Sequence, residues 1–181
     1  AGPWLRDVAG LGAGDRAAAL LTYACGMMTG HLLSGLVASR VQARGGDPML
    51  VPFACMAGMA VAQAVLITGP TSPAVLHATW FAFAAVGSCG PVAYAVLAQR
   101  FPAAMTARVS TAMNGSMLAL VFVLQAAIGL ILDLWPRTAS DGWDRAGYGW
   151  AMGLTLVLQA GGIAWMLLAP RVLGREAPRT A

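Results

Sequence analysis

Apolar and polar positions along this chain fall into long blocks, without the short periods of half-buried strands or surface helices. Five stretches, Ala17–Ser39, Pro48–Thr68, Ala74–Gln99, Val109–Leu132 and Gly147–Ala169, hold no Asp, Glu, Lys or Arg, and the charges cluster between them. At about 1.5 Å per residue each is long enough to cross a hydrocarbon core about 30 Å thick, some with tilt. The pattern predicts five membrane-spanning helices over 17–39, 48–68, 74–99, 109–132 and 147–169. The expected fold class is all-α, a polytopic transmembrane bundle forming one domain over residues 1–181.

Composition supports the same class. The chain is 59% apolar and 10% charged, with a mean hydropathy of +0.70. Soluble domains carry about 25% charged residues, and buried helices of a soluble protein would need a polar exterior that this chain lacks. A net charge of +4 and a pI near 9.5 raise the question of nucleic acid. There is no Lys, however, and the Arg residues are dispersed between spans, so a positive-inside bias explains the charge without a nucleic-acid partner.

The Arg positions also orient the chain. Arg40, Arg44, Arg100, Arg108, Arg171, Arg175 and Arg179 fall on one side, and Arg6, Arg16, Arg137 and Arg145 on the other. Seven against four places the 39–47 loop, the 100–108 loop and the C-terminal tail in the cytoplasm of a bacterial-type inner membrane. The segment Gly2–Arg16 then lies outside, with no signal peptide to carry it there. The sequence is therefore expected to be the C-terminal piece of a longer multi-pass protein. Trp135, Trp143, Tyr148, Trp150, Trp80 and Trp165 sit near span ends, where amphipathic rings prefer headgroup depth. Cys25, Cys55 and Cys89 fall within spans without CxxC spacing, and are expected to be packing residues with neither disulfide nor metal.

After the first span come Gly35, Ser39, Arg40, Gln42, Arg44 and Gly45. This resembles the loop motif Gly-x-x-x-Asp-Arg-x-Gly-Arg-Arg of the major facilitator superfamily of secondary transporters. Gly35, Arg40 and Arg44 match, whereas Ser39 replaces the Asp and Gln42 the inner Gly. The Gly90-Pro91 pair, followed by Phe101-Pro102, Arg108 and Asn114-Gly115, is similar to the tenth-to-eleventh helix region of that family. The opening Gly2-Pro3-Trp4-Leu5-Arg6-Asp7 is similar to the outer segment after the seventh helix in some bacterial members. The resemblance implies helices eight to twelve, a missing N-terminal half as partner, and alternating access around a midplane site for a small-molecule substrate. It also implies that Gly35, Ser39, Arg40 and Arg44 belong to a gating loop. Ser39 cannot supply the family's carboxylate, but its hydroxyl can bond back along its own helix, while Arg40 and Arg44 can pair with helix ends or lipid phosphates. A plain inside loop is the competing explanation.

Polar groups in hydrocarbon are costly unless they face the bundle or a water-filled path. Asn114 and Gln125 are eleven residues apart, about 20° out of phase on a helix, and define one stripe with Thr111. By analogy with the family, Gln125 faces substrate and Asn114 lies nearer the inner gate; interhelical hydrogen bonding is the alternative. His31 is either a proton relay or a neutral partner for a neighbouring helix. Gly26, Gly30 and Ser34 beside it predict close helix packing. His77, Trp80, Phe81, Ala84, Ser88 and Pro91 share one face, Pro91 is expected to kink or loosen that helix, and the resemblance adds Trp80, Ser88 and Tyr94 to the substrate pathway, with ordinary packing the alternative for Trp80 and Tyr94. His77 is expected to be hydrated at the outer interface, and Gln63 and Gln159 to serve packing or helix association. No nucleophilic triad, metal-ligand cluster or carboxylate pair stands out, so neither enzyme chemistry nor a metal or other cofactor is expected. The alternative to transport is a structural or assembly subunit of a membrane complex.

Overall fold

The computed structural model describes residues 1–138 and 141–172, the last four by their backbone alone. It is 81% helix, with no strand among the described residues. A short helix α1 (Gly2–Asp7) precedes five long segments: α2 (Ala13–Ala43), α3 (Leu50–Thr68), the pair α4 (Pro73–Gly87) and α5 (Gly90–Ala98), α6 (Thr106–Leu132) and α7 (Arg145–Val172). Five helices are thus long and apolar enough to cross a membrane, with α4 and α5 together forming the third. They alternate in direction, so one end of the bundle carries α1 and the α6–α7 loop, and the far end carries the α2–α3 and α5–α6 loops. Arg175, Arg179 and the side chain of Arg171, which enter the orientation expected from the sequence, lie outside the described residues.

Burial is arranged for lipid. On α2 the buried positions are Ala19, Gly26, Gly30, Ser34 and Ala38, while Leu21, Met28 and Leu32 are each about two-thirds exposed. Small residues inside and large aliphatic ones outside is the reverse of a water-soluble helix. It follows when lipid tails are as apolar as Leu, so that cohesion comes from close van der Waals approach. The expected packing face therefore meets a partner, which is α4. A Cβ on Gly26 would sit 2.5 Å from the Phe81 carbonyl oxygen, and one on Gly30 would overlap the Ala85 carbonyl outright.

The third span breaks where Gly90-Pro91 predicts a kink. Helix α4 ends at Gly87, Ser88 and Cys89 form a turn, and α5 restarts with Pro91 at its second position. A proline there removes one backbone donor and crowds the preceding turn, so the helix cannot run through. Helices α3 and α7 are joined by side chains. Gln63 Nε2 donates to the Met152 carbonyl (2.7 Å) and Thr155 Oγ1 (2.6 Å), and Gln159 Nε2 donates to Gln63 Oε1 (2.6 Å). This is the helix-association role expected of both glutamines.

The Gly2–Arg16 segment, expected from the sequence to lie outside, is mostly exposed or half-buried but sends two residues into the core. Trp4 and Leu5 on α1 are 3% and 1% exposed and join Ala19, Leu66, Leu76, Trp80, Leu132 and Tyr148 in one cluster. Trp80 likewise is no interfacial anchor: it is 4% exposed and makes edge-to-face contacts with Trp4, Tyr23 and Phe83 at centroid distances of 5.5, 5.9 and 5.7 Å. Such pairs contribute about 0.5–1.5 kcal/mol each beyond area burial. Cys25 is exposed rather than packed, because it lies on the aliphatic face of α2.

Candidate functional site

At the α1 end, α1, α4, α6 and α7 enclose an open cavity of about 470 Å³ whose wall includes Trp4, Trp80, Gln125, Trp143, Tyr148 and Thr155. Ile128, Leu132, Ala151 and Met152 complete its apolar lining. The volume lies within the range of small-molecule sites, about 300–1,000 Å³. Two residues singled out from the sequence, Trp80 and Gln125, meet here although they are far apart in the chain. The Trp80 Nε1 is buried without a hydrogen-bond partner. Gln125 is exposed, and no side-chain hydrogen bond is formed by it among the described residues.

The polar wall is organised by Asp7, whose side chain is only 2% exposed. It pairs with the Arg6 guanidinium and accepts hydrogen bonds from Tyr148 Oη (2.8 Å) and the Trp143 amide (3.1 Å). Burial by itself pushes this carboxyl upward, but the bonds from Arg6, Tyr148 and the Trp143 amide outweigh that effect and hold it below its usual value. The α6–α7 loop is fastened from its other side. Asp133 accepts from Trp143 Nε1 (3.2 Å) and Arg137 (3.1 Å), and the Arg137 guanidinium lies 4.2 Å from the centre of the Trp143 ring. Arg145 donates to the Thr68 carbonyl at 2.7 Å, satisfying an orphan acceptor at the C-terminus of α3. Gly69 closes that helix at φ 65°, a left-handed conformation suited to glycine.

The remaining candidates are distributed differently. Tyr94 lies in a second cleft, about 650 Å³, between α5 and α6 at the far end, with Leu97, Phe101, Met113 and Met117; its hydroxyl meets Met117 Sδ at 3.1 Å. Ser88 is buried and donates to the Ala84 carbonyl of its own helix at 2.7 Å, so its hydroxyl is spent on the break. Asn114 is exposed on α6, lining neither cleft, and His31 is exposed on α2. Neither forms a side-chain hydrogen bond among the described residues. His77 is half-buried and bonds Thr22 Oγ1 through Nδ1 at 2.9 Å, a helix-to-helix contact where hydration was expected.

In the α2–α3 connection, Ser39 donates to the Gly35 carbonyl at 2.9 Å, the back-bond its short side chain allows. Gly35 is half-buried, and Arg40 and Arg44 are exposed, with no ion pair among the described residues. The charge contact at this end is instead Arg100 to Asp47 at 3.4 Å, accompanied by Gln42 to Gln99 at 3.4 Å. It ties the α2–α3 loop to the end of α5. Sequence reasoning missed this pair, together with Asp7, Trp4 and Thr155. The apolar pair Trp4-Leu5 between polar residues was the one available signal for α1. Among the described residues, no group of three or more His, Cys, Asp or Glu could hold a metal. Neither a family model, nor a curated protein, nor a solved structure matches this chain.

Proposed function

We propose that this chain is part of a secondary transporter of the major facilitator type, which moves a small molecule by alternating access together with an N-terminal half. In this reading it lies in an inner membrane with the far end towards the cytoplasm. The observation that carries it is the polar stripe of α6. Asn114 and Gln125 are exposed about three turns apart on one side of a membrane-length helix, and neither forms a side-chain hydrogen bond among the described residues. Amides facing lipid are costly, and such groups in membrane proteins face a partner surface or a water-filled path. The broken third span supports the same reading, since interrupted helices beside a polar path are a transporter feature. The Arg100–Asp47 contact is where a charge latch at the inner gate would act, in place of the Ser39 position.

Transport by the reconstituted full-length parent tests the proposal. Gln125→Ala is expected to lower the initial rate about tenfold or more, and Asn114→Ala to lower it less. Rates unchanged in both variants remove the stripe from the pathway, and a parent with fewer than about ten spans removes the family.

A further inference from the structure

We propose that the apolar groove between α2, α3 and α4 at the far end binds one anionic phospholipid, with an acyl chain along the groove and the headgroup phosphate between Arg40 and Arg44. The inference goes beyond the transport reading and does not depend on it.

The groove has a volume of about 410 Å³, and its wall includes Leu33, Val37 and Val41 from α2, Val51 and Ala54 from α3 and Val86 from α4. No lining side chain is charged, and the Ser34 hydroxyl in the wall is committed to the His31 carbonyl at 3.3 Å. Its deep end lies where the backbones of α2 and α4 meet at Gly30 and Ala85, and its other end reaches Val41 and Leu50, beside the α2–α3 loop. From Gly30 to Val41 the helix rises about 16 Å at about 1.5 Å per residue, roughly half of a hydrocarbon core about 30 Å thick. That is the depth of one leaflet, and so the reach of an acyl chain entering from the loop side. Leu33, Val37 and Leu50 are each about half-exposed, so the groove is open at the surface of the bundle, where lipid has access to it.

Charge selects the headgroup. Leu33, Val37, Arg40 and Arg44 stand at i, i+4, i+7 and i+11, within about 60° of one another at about 100° per residue, so the two arginines continue the stripe that walls the groove. Side chains on a helix lean towards its N-terminus, which for these arginines is towards the groove. Positions four apart have Cβ atoms about 5–6 Å from each other, a gap that one phosphate bridges. Both arginines are exposed and form no ion pair among the described residues. In the stretches 39–47 and 100–108, Arg40, Arg44, Arg100 and Arg108 stand against one acid, Asp47, which is in contact with Arg100. A phosphate arriving at Arg40 and Arg44 therefore displaces no existing pair and meets guanidinium groups suited to it. A free phosphate would leave the groove bare, and a zwitterionic headgroup brings its own cation to the same phosphate. An anionic phospholipid satisfies both the groove and the arginines.

The test is native mass spectrometry of the full chain released from micelles that hold phosphatidylglycerol and phosphatidylcholine, with identical acyl chains, at equal mole fraction. One phosphatidylglycerol is expected to be retained with about tenfold higher occupancy than phosphatidylcholine, and glycerol 3-phosphate, offered alone, is expected not to be retained. Arg40→Gln combined with Arg44→Gln is expected to equalise the two lipids, whereas Arg108→Gln, at the same end but on α6, is expected to keep the preference. Ala54→Phe, which fills the groove, is expected to lower retention of both lipids severalfold. All four positions are exposed, so none of these variants removes a core contact. Equal retention of the two lipids by the unaltered chain overturns the proposal and leaves the groove as ordinary lipid-facing surface. A preference that survives the double arginine variant removes Arg40 and Arg44 from the site, and one lost equally in Arg108→Gln reduces it to the general positive charge of this end. Retention untouched by Ala54→Phe removes the groove, and retention of glycerol 3-phosphate alone makes this a site for soluble phosphates instead.

Discussion

Asp7 shows how one side chain can close an end of a bundle. It gathers an adjacent guanidinium, a tyrosine hydroxyl from α7 and a backbone amide from the α6–α7 loop. Asp7→Ala leaves the Tyr148 hydroxyl and the Trp143 amide unpaired, and is expected to cost about 1–3 kcal/mol for each group left buried. Asp7→Asn retains an accepting oxygen and should cost less. The pH dependence has a definite sign. The carboxyl titrates lower in the folded chain than in the unfolded one, so its stabilisation is complete above the ordinary carboxylate range and is lost as pH falls through the folded value. Thermal unfolding in detergent between pH 7 and 3 is expected to show this acid loss in the unaltered chain and a flatter profile in Asp7→Asn.

Two helix pairs hold by opposite means. At the crossing of α2 and α4, backbones touch because glycine is present, and the contact at Gly30 leaves no room for a methyl group. Gly30→Ala therefore has to push the helices apart, with an expected cost of about 1–3 kcal/mol, and Gly30→Leu is expected to prevent a monodisperse fold in size-exclusion chromatography. The α3–α7 pair is joined by a glutamine that is 3% exposed and makes three side-chain bonds with its neighbour. Gln63→Leu deletes them together. Since a single interhelical bond in a bundle contributes about 0.6 kcal/mol, a loss of about 1–2 kcal/mol is expected in the same thermal assay. The adjoining Gln159→Leu removes one bond and should cost correspondingly less.

The whole molecule has two chemically distinct ends. The α1 end is built from aromatic rings and the Arg6–Asp7 and Arg137–Asp133 contacts, whereas the far end carries the Arg100–Asp47 contact together with Arg40 and Arg44, which form no ion pair among the described residues. The seven-to-four Arg distribution expected from the sequence is a bias that orients membrane proteins with the richer Arg side inward. With Cys25, Cys55 and Cys89 replaced by Ala, a cysteine at Ala104 is expected to react with a membrane-impermeant maleimide only from the cytoplasmic face, and one at Pro136 only from the outer face. The reverse pattern would invert the orientation.

Block patterning by itself determined the class, because each span must exceed the bilayer thickness and exclude charge. Those two requirements are local, and they located five helices from Ala17 to Ala169 within a few residues. The small face of Gly26, Gly30 and Ser34 and the Gly90-Pro91 break were legible for the same reason, since each is a property of one helix. Which helix met that face, and what lay beside each polar residue, depended on contacts between distant segments. Only tertiary structure brought Trp80 and Gln125 to one cavity, sent Ser88 back to its own backbone, and left Asn114 and His31 without side-chain hydrogen bonds among the described residues. It also buried Trp4 and Leu5 within the otherwise exposed or half-buried Gly2–Arg16 segment, because these two residues have no apolar period of their own and acquire a place only when residues of α2, α3, α4, α6 and α7 close around them.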